Sequence, residues 1–145
     1  MSMRDFIRTN VVGIISNLHG EILIAQRAYN KKLLPGAWHL PGGKVEEGED
    51  TETALRRELQ EEFQLNDSDI KSFRITDKQF EYQLDEDWHR IILGQITLAH
   101  DFIPVLNFET EQAVFLTPKE FIQICDPNEI LFNQHVNVLT ELGYL

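Results

Sequence analysis

The chain has 145 residues, 42% of them hydrophobic and 10% aromatic, which is enough apolar material for one domain with a buried core and too much for a disordered chain. Its 24 acidic residues against 13 basic ones leave a net charge of -11 at pH 7, which excludes an electrostatic grip on DNA, RNA or an anionic membrane surface. A lone cysteine, Cys125, cannot close an internal disulfide and reads as inert core, while MSMRDFIRTN lacks the apolar region of a signal peptide and no run nears the roughly 18 residues that span a bilayer, so a soluble, cytoplasmic protein is expected.

No repeat, low-complexity stretch or linker divides the chain, and one domain over residues 1–145 is expected. Val11–Ser16 and Glu21–Ala25 are short β-prone runs around Asn17–Gly20, which predicts a hairpin. Trp38–Leu40 is a short extended piece, and the Pro41-Gly42-Gly43 turn after it forbids regular structure and frees the backbone for close approach. From Asp50 to Leu65 the pattern is helical, with Asp50 or Thr51 as cap and Ala54, Leu55, Leu59 and Phe63 as apolar positions. Lys71–Leu84 alternates polar and apolar residues, Arg90–Leu98 reads as a more buried strand, and Gln112–Leu116 as another. A second helix is predicted over Asn128–Leu142, with Pro127 at its first position and Gly143 past its end. Strands interleaved with two helices predict a mixed sheet with helices on its faces.

The acidic residues concentrate between Lys44 and Glu62. At about 100° per residue, Glu58, Glu61 and Glu62 share one helical stripe beside the apolar stripe of Leu55, Leu59 and Phe63. Like charges so close raise one another's pKa unless a cation joins them. An all-oxygen ligand set with no cysteine or histidine pair favours Mg²⁺ or Mn²⁺ over Zn²⁺. The glycine turn ahead of the helix can offer a bare carbonyl and room for a phosphate group.

Read from Gly43, the segment GKVEEGEDTETALRRELQEEFQL resembles the signature of the Nudix hydrolases, G-x5-E-x7-R-E-U-x-E-E-x-G-U with U aliphatic. Gly43, Glu49, Arg57, Glu58, Leu59, Glu61, Glu62 and Leu65 fall on its fixed positions, and Gln64 stands where the signature has its second glycine. A glycine there serves a left-handed cap, which costs another residue roughly 1 kcal/mol; the alternative is a helix that runs on to Asn66 or Asp67. Upstream, Gly36, Trp38, Leu40, Pro41, Gly42, Lys44, Val45 and Glu46 resemble the GxWxLPGGKVE stretch of MutT-like members.

The resemblance implies an α/β fold, the Nudix α/β/α sandwich with a mixed central β-sheet and helices on both faces, and an enzyme that splits a nucleoside diphosphate linked to a group X. It implies metal ligation by Glu58, Glu61 and Glu62 with the Gly42 carbonyl, an Arg57–Glu49 pair holding helix to loop, and attack of water on the diphosphate bridge with Glu61 or Glu62 as general base. Some members use a glutamate far beyond the signature, for which Glu109 and Glu111 are the candidates. Arg27 is a candidate phosphate contact, and Trp38, Phe80, Tyr82 and Trp88 are candidates to stack on a base. Asn133 resembles the position of a base-reading asparagine, and the five histidines show no metal spacing. The upstream stretch favours a nucleoside triphosphate, cleaved to the monophosphate and pyrophosphate. Tyr82 resembles a tyrosine of diadenosine polyphosphate hydrolases, which keeps a dinucleoside polyphosphate or nucleotide-sugar hydrolase open, and a non-catalytic nucleotide sensor is the alternative from another class. The expected partner is a small nucleotide, without long nucleic acid or membrane, and the expected state is monomer or homodimer.

Overall fold

The computed structural model describes residues 6–84 and 86–145, apart from the side chains of Ile7 and Leu84. The reading of the first five residues, and the place of Leu84 in its alternating run, lie outside the described residues. The chain runs β1 (Phe6–Ser16), β2 (Ile22–Arg27), β3 (Trp38–His39), β4 (Gly42–Lys44), α1 (Thr51–Phe63), β5 (Ile70–Leu84), β6 (Asp87–Leu98), β7 (Thr110–Leu116), α2 (Pro118–Ile124) and α3 (Phe132–Glu141). Among the described residues no helix is long and apolar enough to cross a membrane.

The hairpin at the start of the chain closes where Asn17 Oδ1 accepts from the N–H groups of His19 and Glu21, but β1 and β2 are in register only at Ser16 and Ile22. Beyond that point β2 turns to pair with β3 and β7. The edge of β1 it leaves is taken by β4, antiparallel, with Val11 opposite Gly43 and Val12 opposite Gly42. The expectation that Pro41-Gly42-Gly43 forbids regular structure is thus corrected: only Pro41 stays outside, and the two glycines form a strand. A Cβ on Gly42 would lie 2.0 Å from the Val11 carbonyl oxygen, so this strand can approach β1 only because the side chain is missing. On its other edge β1 runs parallel to β6, which pairs antiparallel with β5, and the sheet is mixed as predicted.

Alternation along β1 divides the core. Val11 and Ile15 pack with Leu55, Leu59 and Phe63 of α1 on one face, while Ile14 joins Phe121, Val138 and Leu139 of α2 and α3 on the other. Gly94 of β6 lets α1 settle, since a Cβ there would meet Leu55 at 2.6 Å. Cys125 sits at the end of α2, buried, its thiol pushed up to about 12 chiefly by desolvation, in line with an inert core residue.

Two helix expectations change. Three α-helices form among the described residues where two were expected, because Thr117-Pro118-Lys119-Glu120 is a capping box with proline in the first turn: Thr117 Oγ1 accepts from Glu120 N–H and the Glu120 carboxylate from Thr117 N–H. The last helix begins at Phe132 and not at Asn128. Asp126 Oδ1 accepts from Asn128 N–H and its carbonyl from Glu129 N–H, so Asp126-Pro127 makes a turn. Helix α1 is capped by Asp50, which accepts from Thr53 N–H, and stops at Phe63. Of the two alternatives at Gln64, the structure takes the left-handed cap, at φ 55° and ψ 36°, with Gln64 and Leu65 N–H donating back to Gln60 and Leu59.

Candidate active site

The split between β2 and β4 opens a cleft of about 410 Å³ that runs from the glycine strand across the sheet and under α3. Its signature end is organised by Arg57. The guanidinium grips Glu49 with a fork, Nε to Oε2 at 2.8 Å and Nη2 to Oε1 at 3.0 Å, and donates also to the Lys44 carbonyl and to Glu58. This is the Arg57–Glu49 pair that the resemblance implies, and it ties helix to loop. The fork and the Glu46 N–H hold the Glu49 carboxyl at about 2, well below its ordinary range.

Glu58 and Glu62 both line the cleft. Glu58 stands against Gly43, where a Cβ would lie 2.3 Å from its carboxyl carbon, so the glycine is there to admit a carboxylate. Desolvation raises the pKa of Glu58 despite Arg57. Glu62 is pushed up to about 8 by burial first, then by the charges of Glu58 and Glu109, and in its protonated form it hydrogen-bonds Glu58. Its Oε2 is buried with no hydrogen-bond partner among the described residues. Two crowded carboxylates with an orphaned oxygen form a donor set that fits a hard divalent cation. Gly42 adds to it: the bonds from Gly13 N–H to Pro41 and from Val45 N–H to Thr9 fix the ladder so that the Gly42 carbonyl points away from β1.

Glu61 stands at the rim, where Arg57 Nη1 reaches it as well as Glu58. One hundred degrees short of Glu62 around the helix, it lies outside the cleft lining with a side chain 54% exposed, 3.4 Å from Arg57. Among the described residues no three carboxylate, imidazole or thiol side chains are drawn together as a metal cluster. Glu109 lines the cleft and pairs with Lys31 at 3.3 Å, whereas Glu111 is exposed and outside it. Arg27 lines the cleft, its Nε donating to the Leu33 carbonyl at 2.8 Å.

Trp38 and Tyr82 also line the cleft, while Phe80 packs into the core beneath α3 and Trp88 lies outside the lining. Asn133 is exposed and outside the cleft lining, to which α3 contributes Gln134, His135 and Val138. Sequence reasoning passed over Arg8, Asn10, Lys31, His39, His89, Gln134 and His135, all on the lining. For Arg8 and Asn10 a signal existed, the alternation Arg8-x-Asn10-x-Val12 on one face of β1. His39 and His135 are both held near 4 chiefly by burial, so both are neutral cleft walls at pH 7.

The NUDIX domain family model matches residues 7–138. Nucleoside triphosphatase NudI of Salmonella arizonae is similar to the chain, 35% identical over 120 residues that cover 79% of this chain and 84% of that protein. The 8-oxo-dGTP diphosphatase of Proteus vulgaris is 46% identical over 54 residues, 37% of this chain and 47% of that protein. Among solved structures, the MutT protein from Methanosarcina mazei superposes with a TM-score of 0.74 at 21% identity, over 99% of both chains, and shares the fold. Fold and sequence together define a hydrolase of phosphoric anhydride bonds. The chain belongs to the NUDIX domain family.

Proposed function

We propose that residues 1–145 act as one catalytic domain that hydrolyses a nucleoside triphosphate to the monophosphate and pyrophosphate. The observation that carries the reading is the buried, unpartnered Glu62 Oε2 beside Glu58, two acidic groups that folding crowds together at the cleft. Glu58 and Glu62, with the Gly42 carbonyl, would hold Mg²⁺ or Mn²⁺, and Glu61 serves from the rim. A cation bound there supplies neutralisation of charge on the phosphate oxygens and lowers the pKa of water.

The chain's own residues do the rest. Arg57 fixes Glu58 by hydrogen bonding and locks the loop through Glu49, so the carboxylate meets the substrate without reorganising. Arg27 and Lys31, on the wall beside Glu62, bind phosphate oxygens. Glu62 or Glu109 takes the proton of the attacking water, and Glu109 is favoured over Glu111 because it alone of the two lines the cleft. Trp38 offers an aromatic face to the base. The triphosphate is favoured by the similarity to a protein described as a nucleoside triphosphatase. The same proposal has the protein in the cytoplasm, as monomer or homodimer, with a small nucleotide as its partner.

The test is a panel of nucleoside triphosphates, dinucleoside polyphosphates and nucleotide sugars, assayed with Mg²⁺ and with EDTA. Pyrophosphate release from triphosphates, abolished by EDTA, is expected. Faster turnover of a dinucleoside polyphosphate would overturn the substrate, and tight binding with no turnover of any compound would make the protein a sensor.

A further inference from the structure

The far end of the cleft has a different chemistry from the carboxylate end. In the sheet, Arg8 of β1 stands beside His89 of β6, and His89 beside Tyr82 of β5, so the three form one row across three strands. Tyr82 and His89 stack at 4.9 Å and 13°. Arg8 Nε donates to Asn10 Oδ1 at 2.7 Å, and the Asn10 amide in turn reaches the Tyr82 hydroxyl. These bonds engage Asn10 Oδ1 and the Tyr82 oxygen and leave the two Nη groups of Arg8 as donors that cannot act as acceptors, with the Tyr82 O–H and the second amide N–H of Asn10 beside them. His89 adds unmet polarity, since its Nδ1 is buried without a partner among the described residues.

Arg8 lies four residues along β1 from Val12, which is opposite Gly42, or about 13 Å at the strand rise. Between the two ends the floor is apolar, made of Val12, Ile91 and Leu93. Phosphates therefore stay at the end that carries Arg27 and Lys31, the flat part of a nucleoside lies on the apolar floor, and the edge of its base meets the donor row.

We propose that this row selects bases whose outer edge carries an oxo group, hypoxanthine, guanine, uracil or thymine, over adenine and cytosine, which carry an amino group there. An oxo purine presents O6 and N7, to which an arginine fork donates twice, and uracil or thymine presents O4, to which it donates once; an exocyclic amino group sets donor against donor. The inference rests on the triphosphatase reading for the orientation of the substrate and names the base class of that same site.

Two substrate pairs differ only at that edge: ITP against ATP, and UTP against CTP. The oxo member of each pair is expected to have a kcat/KM roughly 10- to 100-fold higher. Arg8→Lys keeps the charge but loses the fork, and since Arg8 is exposed the variant is expected to fold. It should bring both ratios close to one. Equal use of both members by the natural chain, or a ratio unchanged in Arg8→Lys, would overturn the proposal, the second because Arg8 would then act as a plain charge on a phosphate. Binding of the four nucleotides by titration calorimetry reads the same preference without turnover. Oxo preference in binding with no hydrolysis would sink the triphosphatase reading and sustain this one; equal affinities would sink this one.

Discussion

At the signature end of the cleft, Gly42, Gly43, Glu49, Arg57, Glu58 and Glu62 come from one short stretch, and a single guanidinium binds loop to helix through Glu49, Lys44 and Glu58. At the other end, Arg8, Tyr82 and His89 arrive from three strands and meet only because β1, β6 and β5 are in register. The first arrangement is over-determined by local geometry and serves chemistry that tolerates little displacement. The second depends on the sheet and can change its contacts one strand at a time, which suits recognition.

The largest expected effect comes from the carboxylate pair. Glu58→Gln and Glu62→Gln should each lower kcat by at least about 100-fold, while Arg8→Lys at the other end alters preference among bases far more than the rate on the best one. Glu62 also gives the metal-free protein a pH dependence. Its carboxyl titrates near 8 in the folded chain against an ordinary value of 4.5, so between those values the folded state holds a proton that the unfolded state has lost. Stability in EDTA is therefore full below about pH 4.5 and declines as pH rises towards 8. Thermal melts in EDTA across that window should show the decline in the natural chain and a flatter profile in Glu62→Gln.

The two glycines separate activity from folding. Gly43→Ala meets the movable end of Glu58 and should cost about 10- to 100-fold in kcat with a Tm little changed. Gly42→Ala meets the backbone of Val11 and should destabilise by about 1–3 kcal/mol or more, seen in denaturant unfolding. The smallest effect lies at Gln64, strained in the left-handed cap and outside the cleft lining: Gln64→Gly should stabilise by about 1 kcal/mol, or about 3 °C in Tm, with turnover unchanged.

The same contrast explains what could be read without coordinates. The Asp50 cap and the helix carrying Glu58 and Glu62 follow from periodicity, and the Arg57–Glu49 pair is what the family resemblance implies. Periodicity also groups Glu61 with Glu58 and Glu62; because Leu59 and Phe63 anchor α1 at the sheet, Glu61 stands at the rim, sharing Arg57 with Glu58. The mixed sheet was legible, but the replacement of β2 by β4 along β1 was not, since it turns on a Cβ missing at Gly42. Alternation along β1 puts Arg8 and Asn10 on the face of Val12, but nothing local marks His89 or the cross-strand row, which depends on the register of β1, β6 and β5. Asn133 was placed by analogy one residue from the inward-facing Gln134, in a helix whose start the Asp126 turn delays.

Glu58 and Glu62 are proposed to form a site that a divalent cation completes. Titration of Mg²⁺ into the natural chain and into the Glu58→Gln, Glu62→Gln double variant, followed by calorimetry and by thermal unfolding at pH 8, tests it most directly. Binding and a raised Tm are expected for the natural chain and neither for the variant. Equal stabilisation of both, or of neither, would contradict it.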